Sequence, residues 1–325
     1  MKVDKVFVTG INGLLGTNLA FKLIEKGYFV TAIIRKKNNF IKPKLKNLKL
    51  VEGDLLDLKK MADAMKGCRY VVHAAAITSQ RLLKLSDYYQ ANVLGTENII
   101  KACFQTKIEK LIYIGTANTY GYGGVHDPGN ECKSMMPPFT KSLYAVSKKR
   151  AQQIIDNAVT KLNITTISPT LMLGAYDTKQ NSGKIIQMAL NKRFVFYPSG
   201  GKNFVHVADV VTAIIKAFDI KKSGQKFIVA NENLTYKEFY NKMIRINNQK
   251  TALLLMPDSL LFILGLIGDF FRLLKFKTDV SSVNTRILIV KNYYTNEKAK
   301  QELHLNFTSI DKAISDWLDF YNRKI

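Results

Sequence analysis

Two groups of residues in this sequence have types and spacings that could do chemistry. The first is "YAVSK", residues 144–148. An i, i+4 spacing sets the Tyr144 phenol and the Lys148 ammonium on one helix face, one turn apart. The ammonium is expected to stabilise the phenolate, lowering the tyrosine pKa toward working pH and making it a general acid or base. The second is "TGINGLLG", residues 9–16. Gly10 permits a tight turn, Gly13 lets a pyrophosphate approach the backbone, and Gly16 lets the next helix pack closely on the preceding strand. Asn12, Leu14 and Leu15 complete the turn. The helix start offers unpaired N–H groups and a positive dipole end to phosphate.

These groups need a frame, and the apolar pattern supplies one. Strands are predicted at 5–10, 29–34, 48–55, 69–76, 110–117 and 164–169, and helices at 14–27, 58–67, 86–106 and 142–161. Apolar strands alternating with amphipathic helices imply a parallel sheet covered on both faces. The fold class is therefore α/β: a Rossmann-type doubly wound sheet, whose ligands sit at the carboxyl ends of its strands. Residues 1–170 are read as a dinucleotide-binding domain, with a segment near 205–230 returning to it. Residues 171–325, where the rhythm breaks, are read as mainly a smaller mixed α/β substrate lobe. The run "LLFILGLIGDFFRLL", 260–274, is interrupted by Asp269 and Arg272 and is too short to span a bilayer. It is expected to be a buried helix of that lobe; the alternatives are the lining of an apolar pocket or contact with a membrane surface.

The chain has 325 residues and a formal net charge of +24. A large positive field attracts polyanions, but the lysines are scattered apart from a cluster at 36–49, and no nucleic-acid motif accompanies them. Specific nucleic-acid binding is not expected. Cys68, Cys103 and Cys132 are far apart, show no metal spacing and are read as structural thiols of a reducing compartment. The first residues lead at once into a strand pattern, so no leader peptide is expected and the location is read as cytoplasmic.

Glycines spaced GxxGxxG together with YxxxK resemble the extended short-chain dehydrogenase/reductases, the superfamily of nucleotide-sugar epimerases and dehydratases. The resemblance covers essentially the whole chain. "GDLLD" (53–57) is similar to the family's acidic turn, which implies that Asp54, with Leu55, holds the adenine. "HAAA" (73–76) is similar to the strand beside the nicotinamide-side phosphates and implies Ala74, Ala75 and Ala76 as cofactor contacts, with Pro169 on a later strand. "NVLGTENII" (92–100) matches a family helix and puts Asn92 below the active site, implying a further catalytic residue. "IGTANTYG" (114–121) makes Thr116 the third catalytic residue. The resemblance implies that Tyr144 exchanges a proton with the substrate oxygen, that Thr116 hydrogen-bonds the same oxygen and that Lys148 tunes Tyr144 and binds the nicotinamide ribose. It also implies a homodimer through helices 86–106 and 142–161. His73 is read as part of the cofactor-side strand and His206 as a structural residue.

At the end of the second strand the sugar epimerases carry an acid that holds ribose hydroxyls; here stands Ile34, followed by Arg35 and Lys36. A guanidinium there can grip a 2′-phosphate with paired hydrogen bonds, so NADP is favoured over NAD. "SPTLMLGAYD" (168–177) is similar to a signature of the dihydroflavonol-reductase-like and 3β-hydroxysteroid-dehydrogenase-like branch, with Ser168 and Ala175 departing from it. Lys202 stands where the sugar enzymes place a diphosphate-binding arginine, and Arg286 remains a candidate for that role. Leu171, Met172 and Tyr176 are expected to contact substrate beside Thr116, giving an apolar pocket. The leading expectation is an NADP(H)-dependent reductase or dehydrogenase acting on a small, largely apolar carbonyl or alcohol. The alternatives are an NAD-dependent nucleotide-sugar epimerase or dehydratase and a non-catalytic nucleotide-sensing or RNA-associated scaffold.

Overall fold

The computed structural model describes residues 3–42 and 44–323. The chain begins with β1 (Lys5–Thr9), α1 (Leu14–Glu25), β2 (Phe29–Ile34), β3 (Leu48–Glu52), α2 (Leu58–Met65) and β4 (Tyr70–His73). A short helix, α3 (Ser86–Tyr88), passes through a π-helical stretch, Tyr89–Leu94, into α4 (Gly95–Thr106). Next come β5 (Lys110–Ile114), α5 (Leu143–Ala158) and β6 (Ile164–Pro169). Beyond them lie β7 (Leu171–Leu173), α6 (Lys184–Gln187), β8 (Phe194–Tyr197), β9 (Gly201–His206), α7 (Val207–Ala217) and β10 (Gln225–Val229). The chain then forms β11 (Glu232–Thr235), α8 (Tyr236–Ile246), β12 (Ala252–Leu255), α9 (Asp258–Leu273), α10 (Ser282–Ile289), β13 (Lys291–Asn292), α11 (Glu297–Leu303) and α12 (Ile310–Asn322).

Seven parallel strands form the main sheet in the order β10-β6-β5-β4-β1-β2-β3. Because β1 lies between β2 and β4, the direction of winding reverses there, and a crevice opens at the carboxyl ends. The two-residue period of β1 sends Val6 and Val8 into one apolar layer with α1 and α7, and Phe7 into the other with α2, α4 and α5. Each large side chain so buried stabilises the fold by about 1.5–3 kcal/mol against leaving it exposed. The last sheet strand, β10, enters only after the chain has already made β7 to β9.

The smaller lobe is built around β9, which pairs with β7, β11 and β13. Its core stacks Phe204 on Phe239, ring centroids 4.4 Å apart, and buries Trp317.

Three predicted strands are shorter than their apolar runs. β3 stops at Glu52, β4 at His73 and β5 at Ile114. In each case the residues beyond leave the ladder at the sheet's carboxyl edge and turn over the crevice. The expected continuous helix 86–106 is broken by its π-helical stretch. A larger departure is the run 260–274. It is helical, as α9, but it is not a buried helix. Only Leu261, Gly265 and Gly268 of α9 are buried. Added Cβ atoms at Gly265 and Gly268 would meet Ser282 Cα at 2.8 Å and the Val280 carbonyl oxygen at 2.4 Å. The glycines therefore let the chain around α10 seat against a narrow stripe, and the wide apolar face is left outside. Among the described residues, no helix is long and apolar enough to cross a membrane.

Candidate active site

A cleft of about 440 Å³ lies along the carboxyl ends of β1, β2, β4, β5 and β6. At one end it is floored by the glycine turn. Gly10 has φ +74°, and a Cβ there would stand 2.7 Å from the Ala75 amide nitrogen. A Cβ at Gly16 would stand 2.2 Å from the Gly10 carbonyl oxygen. Neither position takes a side chain without moving backbone, so turn, helix and the 74–76 segment are held in direct contact. Gly13 caps α1 with no side-chain hydrogen bond, and the first turn carries no acid. The α1 amides and its positive dipole end are thus available to an anion, and the cradle fits a dinucleotide pyrophosphate.

A chain of hydrogen bonds fixes the 74–76 segment beside this turn. The Ala75 N–H donates to Thr9 Oγ1 (3.1 Å), Thr9 pairs with His73 Nδ1 (2.8 Å), and His73 Nε2 pairs with Thr96 Oγ1 (3.1 Å). Burial pushes His73 down to about 3, with the Lys148 charge adding to the effect. A neutral imidazole therefore ties β1, β4 and α4 together, and it does not titrate near neutral pH.

Asn92 does not line the cleft. It sits in the π-helical stretch, accepts the Ile77 N–H at 2.7 Å, and donates to the Ile77 carbonyl at 3.1 Å and to Ser147 Oγ at 2.9 Å. Ser147 in turn donates to the Tyr144 carbonyl at 2.7 Å. The asparagine thus locks the wall segment 77–78 to the helix that carries Tyr144, and its role here is to position rather than to touch a ligand.

Thr116, Tyr144 and Lys148 all line the cleft. α5 begins at a Ser142 cap whose side chain accepts from the Ala145 N–H, and the helix then sets Tyr144 and Lys148 one turn apart. Burial pushes the Tyr144 phenol up to about 12, while a hydrogen bond with Thr116 pulls the other way. The sequence-based expectation that Lys148 lowers this pKa does not hold in this arrangement. The Lys148 ammonium donates to the Ile114 carbonyl at 2.7 Å and lies 4.4 Å from the centroid of the Tyr113 ring. Burial pushes Lys148 down to about 7. Loss of hydration outweighs any benefit to the phenolate, and the phenol is protonated at neutral pH.

Arg35 lines the cleft at the end of β2, with Gly53, Asp54 and Leu55 beside it at the end of β3. The Asp54 carboxylate accepts the Leu56 N–H at 3.0 Å, which shapes that turn. Lys36, proposed with Arg35, does not line the cleft, because the chain turns outward at once into the short 3-10 turn 37–39. Asn12, Leu14, Leu15, Ala74, Ala76 and Pro169 are on the lining.

Of the apolar substrate candidates, Met172 is on the wall, and Leu171 and Tyr176 are not. Leu171 packs into the core of the smaller lobe. Tyr176 is held between Phe21 and Phe320, at centroid distances of 4.9 and 5.2 Å. Alternation along β7 explains the first case, and the aromatic sandwich the second. Lys202 and Arg286 also lie away from the lining. Arg286 sits 5.9 Å from the ring centroid of Phe262 on α9. His206 caps α7, accepting the Ala208 N–H at 2.9 Å, and its Nε2 lies 3.0 Å from Asp316.

Lys179 enters the site without a sequence signal. It comes from the loop after β7, lines the cleft with Asn181 and Ser182, and donates to Asn12 Oδ1 at 3.1 Å. Burial and the nearby Arg35 charge both lower its pKa. In a chain this rich in lysine nothing marks the residue. Asn18 makes a second bridge between the lobes, donating to the Ala175 carbonyl at 2.8 Å.

Comparison with known proteins agrees with this geometry. Residues 6–231 match the NAD dependent epimerase/dehydratase family. A protein of Synechocystis sp. provisionally named dihydroflavonol 4-reductase is 27% identical, the match spanning 98% of this chain and 94% of that one. Sterol demethylase protein B of Methylococcus capsulatus is 24% identical, with 98% of each chain covered. Among solved structures, MoeE5 in complex with UDP-glucuronic acid and NAD shares the fold with a TM-score of 0.78 at 19% identity, covering 99% of this chain and all of that one. The glycine cradle, the Tyr144–Lys148 pair and a match over more than two thirds of the chain place this protein in the NAD-dependent epimerase/dehydratase family, as an oxidoreductase of the extended short-chain dehydrogenase/reductase type.

Proposed function

We propose that this protein is an NADP(H)-dependent reductase or dehydrogenase interconverting a carbonyl and an alcohol on a small, largely apolar substrate. The observation that carries the reading is the meeting of Thr116, Tyr144 and Lys148 in one cleft that has Arg35, and no acid, at the end of β2, with Lys179 on the same lining. The Gly10–Gly16 turn and the α1 amides would hold the pyrophosphate, Asp54 and Leu55 the adenine end, and Arg35 a 2′-phosphate. A nicotinamide cofactor bound there supplies the hydride.

The chain's own groups handle the proton. Tyr144, protonated at neutral pH, donates its phenolic proton to the substrate oxygen as that oxygen gains charge. In the reverse direction the phenolate takes the proton back. Thr116, buried at the end of β5, presents its hydroxyl to the same oxygen and stabilises the developing charge. A phenol held up at about 12 carries its proton at neutral pH, so the group is present in the donor form. Met172 puts an apolar side chain on the cleft wall. The two relatives are named for a dihydroflavonol and a sterol, both uncharged ring compounds.

The second reading, a nucleotide-sugar epimerase or dehydratase holding NAD, draws on the likeness of fold to MoeE5. Titration of the purified protein with NADPH and NADH separates the two. Tighter binding of NADPH, lost by about tenfold or more in Arg35→Ser, supports the reductase, since a charge-assisted phosphate contact contributes about 1.5–3 kcal/mol. Isolation with non-exchanging NAD and an indifferent Arg35→Ser would overturn it.

A further inference from the structure

We propose that α9 and the β8–β12 ribbon form a docking face for an anionic lipid bilayer, on which the protein lies without spanning. The helix is inverted relative to an ordinary surface helix. Its protein-facing stripe is Leu261, Gly265, Gly268 and Arg272, recurring at helical spacing. Its outward face carries Ile263, Leu266, Ile267, Phe270 and Leu273, which are 51, 50, 47, 59 and 79% exposed. A helix of this length is about 24 Å long, enough to lie in an interface.

The apolar surface continues through the ribbon. β8 and β12 pair so that Phe196 stands opposite Leu254, and Phe194 and Phe196 are 63 and 57% exposed. Ser199, just past β8, bonds Asp258 at the start of α9 at 2.6 Å, so ribbon and helix adjoin. Scattered single apolar residues on a surface are ordinary, but a contiguous run on one helix and the neighbouring strands is not.

Charge identifies the partner. Lys192 and Arg193 precede the ribbon, Lys275 and Lys277 follow the helix, and Arg286 stands by Phe262; all five are exposed. Among the described residues no carboxylate pairs with any of them. The acids of this region are already engaged: Asp258 with Ser199, Asp269 with the Ser282 N–H, and Asp279 with Lys184 and Arg81. An apolar face bordered by unpaired cations fits acyl chains beneath negative headgroups. A second copy of this chain would set these cations against their own kind.

The face is also coupled to the cleft. Arg272 donates to the carbonyls of Gln80 and Leu82, at 3.1 and 2.6 Å. That loop continues from Thr78, which lines the cleft, to Asp87, which does the same. Docking would hold the mouth of the cleft beside the bilayer.

The test is flotation of the full chain with phosphatidylcholine vesicles, with and without phosphatidylglycerol, alongside its oligomeric state by light scattering. Binding is expected with phosphatidylglycerol only and should weaken in high salt. Lys275→Gln with Lys277→Gln should lower partitioning roughly 30-fold, at about fivefold per cation. Ile267→Gln with Phe270→Gln should lower it by a similar factor. Circular dichroism and cofactor binding confirm that each variant is folded. No flotation, or flotation that both variant pairs leave unchanged, overturns the proposal. So does a dimer that the Ile267/Phe270 pair converts to monomer with no change in vesicle binding, because the face then belongs to a second copy.

Discussion

In and behind the cleft a lysine, a tyrosine and a histidine are withdrawn from water; on α9 a row of isoleucines, leucines and phenylalanines faces it. The two regions depart from ordinary partitioning in opposite directions. The buried polar groups in and behind the cleft are held in place by named partners: His73 by Thr9 and Thr96, Lys148 by the Ile114 carbonyl, Asn92 by Ile77 and Ser147. The outward side chains of α9 have no such partners, and only Leu261, Gly265 and Gly268 of that helix are buried. A buried polar group needs partners because unmet hydrogen bonds are costly. An exposed apolar group is tolerated one residue at a time and becomes informative only when it is contiguous.

This contrast can be broken most severely at Tyr144. Tyr144→Phe removes the proton donor and nothing from the cradle. Turnover is expected to fall by about 10³-fold, within the usual range for losing a general acid, while cofactor affinity stays within a factor of two or so. Steady-state kinetics with a fluorescence titration of cofactor would show it, and retained turnover would remove Tyr144 from the mechanism.

A subtler test lies at Lys148, whose ammonium is withdrawn from water at a cost. Lys148→Met should lose activity yet gain thermal stability at pH 7, by about 1–3 kcal/mol, because an apolar side chain of similar length replaces a buried cation. The sign follows from linkage. The folded-state pKa, about 7, lies below the unfolded value of 10.5, so the unfolded chain binds the extra proton between these values. Stability of the native protein therefore rises with pH across that window, and the advantage of the methionine should shrink from pH 7 toward pH 10. Denaturant melts at several pH values measure the convergence; a constant gap would mean that the lysine is not strained by burial.

The smallest effect is expected on α9. Ile263→Gln, on the outward face, should change stability in solution by no more than about 0.5 kcal/mol, as for an ordinary surface site. A loss of several kcal/mol in a urea melt would show that this face is packed in solution, and would collapse the contrast between the two regions.

Legibility in the sequence was uneven for physical reasons. The glycine turn and the Tyr144–Lys148 pair are local: a few residues of chain carry the whole geometry, so spacing suffices. The parallel sheet was legible too, because strands covered on both faces read as unbroken apolar runs. Strand ends were not, since residues such as Ala74 and Gly115 are as apolar as a strand but serve the cleft. Leu171 and Tyr176 were placed by proximity to a motif; the alternation along β7 and the Phe21–Phe320 sandwich turned them elsewhere. Lys179 was invisible, because its meeting with Asn12 joins positions 167 residues apart.

By itself the sequence determined the doubly wound fold, the glycine turn ahead of α1, the spacing of Tyr144 and Lys148 and the absence of an acid at the end of β2, all of which follow from local spacing and periodicity. Only the tertiary structure decided which way Lys148 points, that Lys179 joins the cradle, and that the apolar run of α9 faces outward. Each of these depends on what the rest of the chain brings against a residue: a carbonyl at the end of β5, a turn after β1, and the chain around α10 seated so closely on two glycines that the wider apolar face had no room inside.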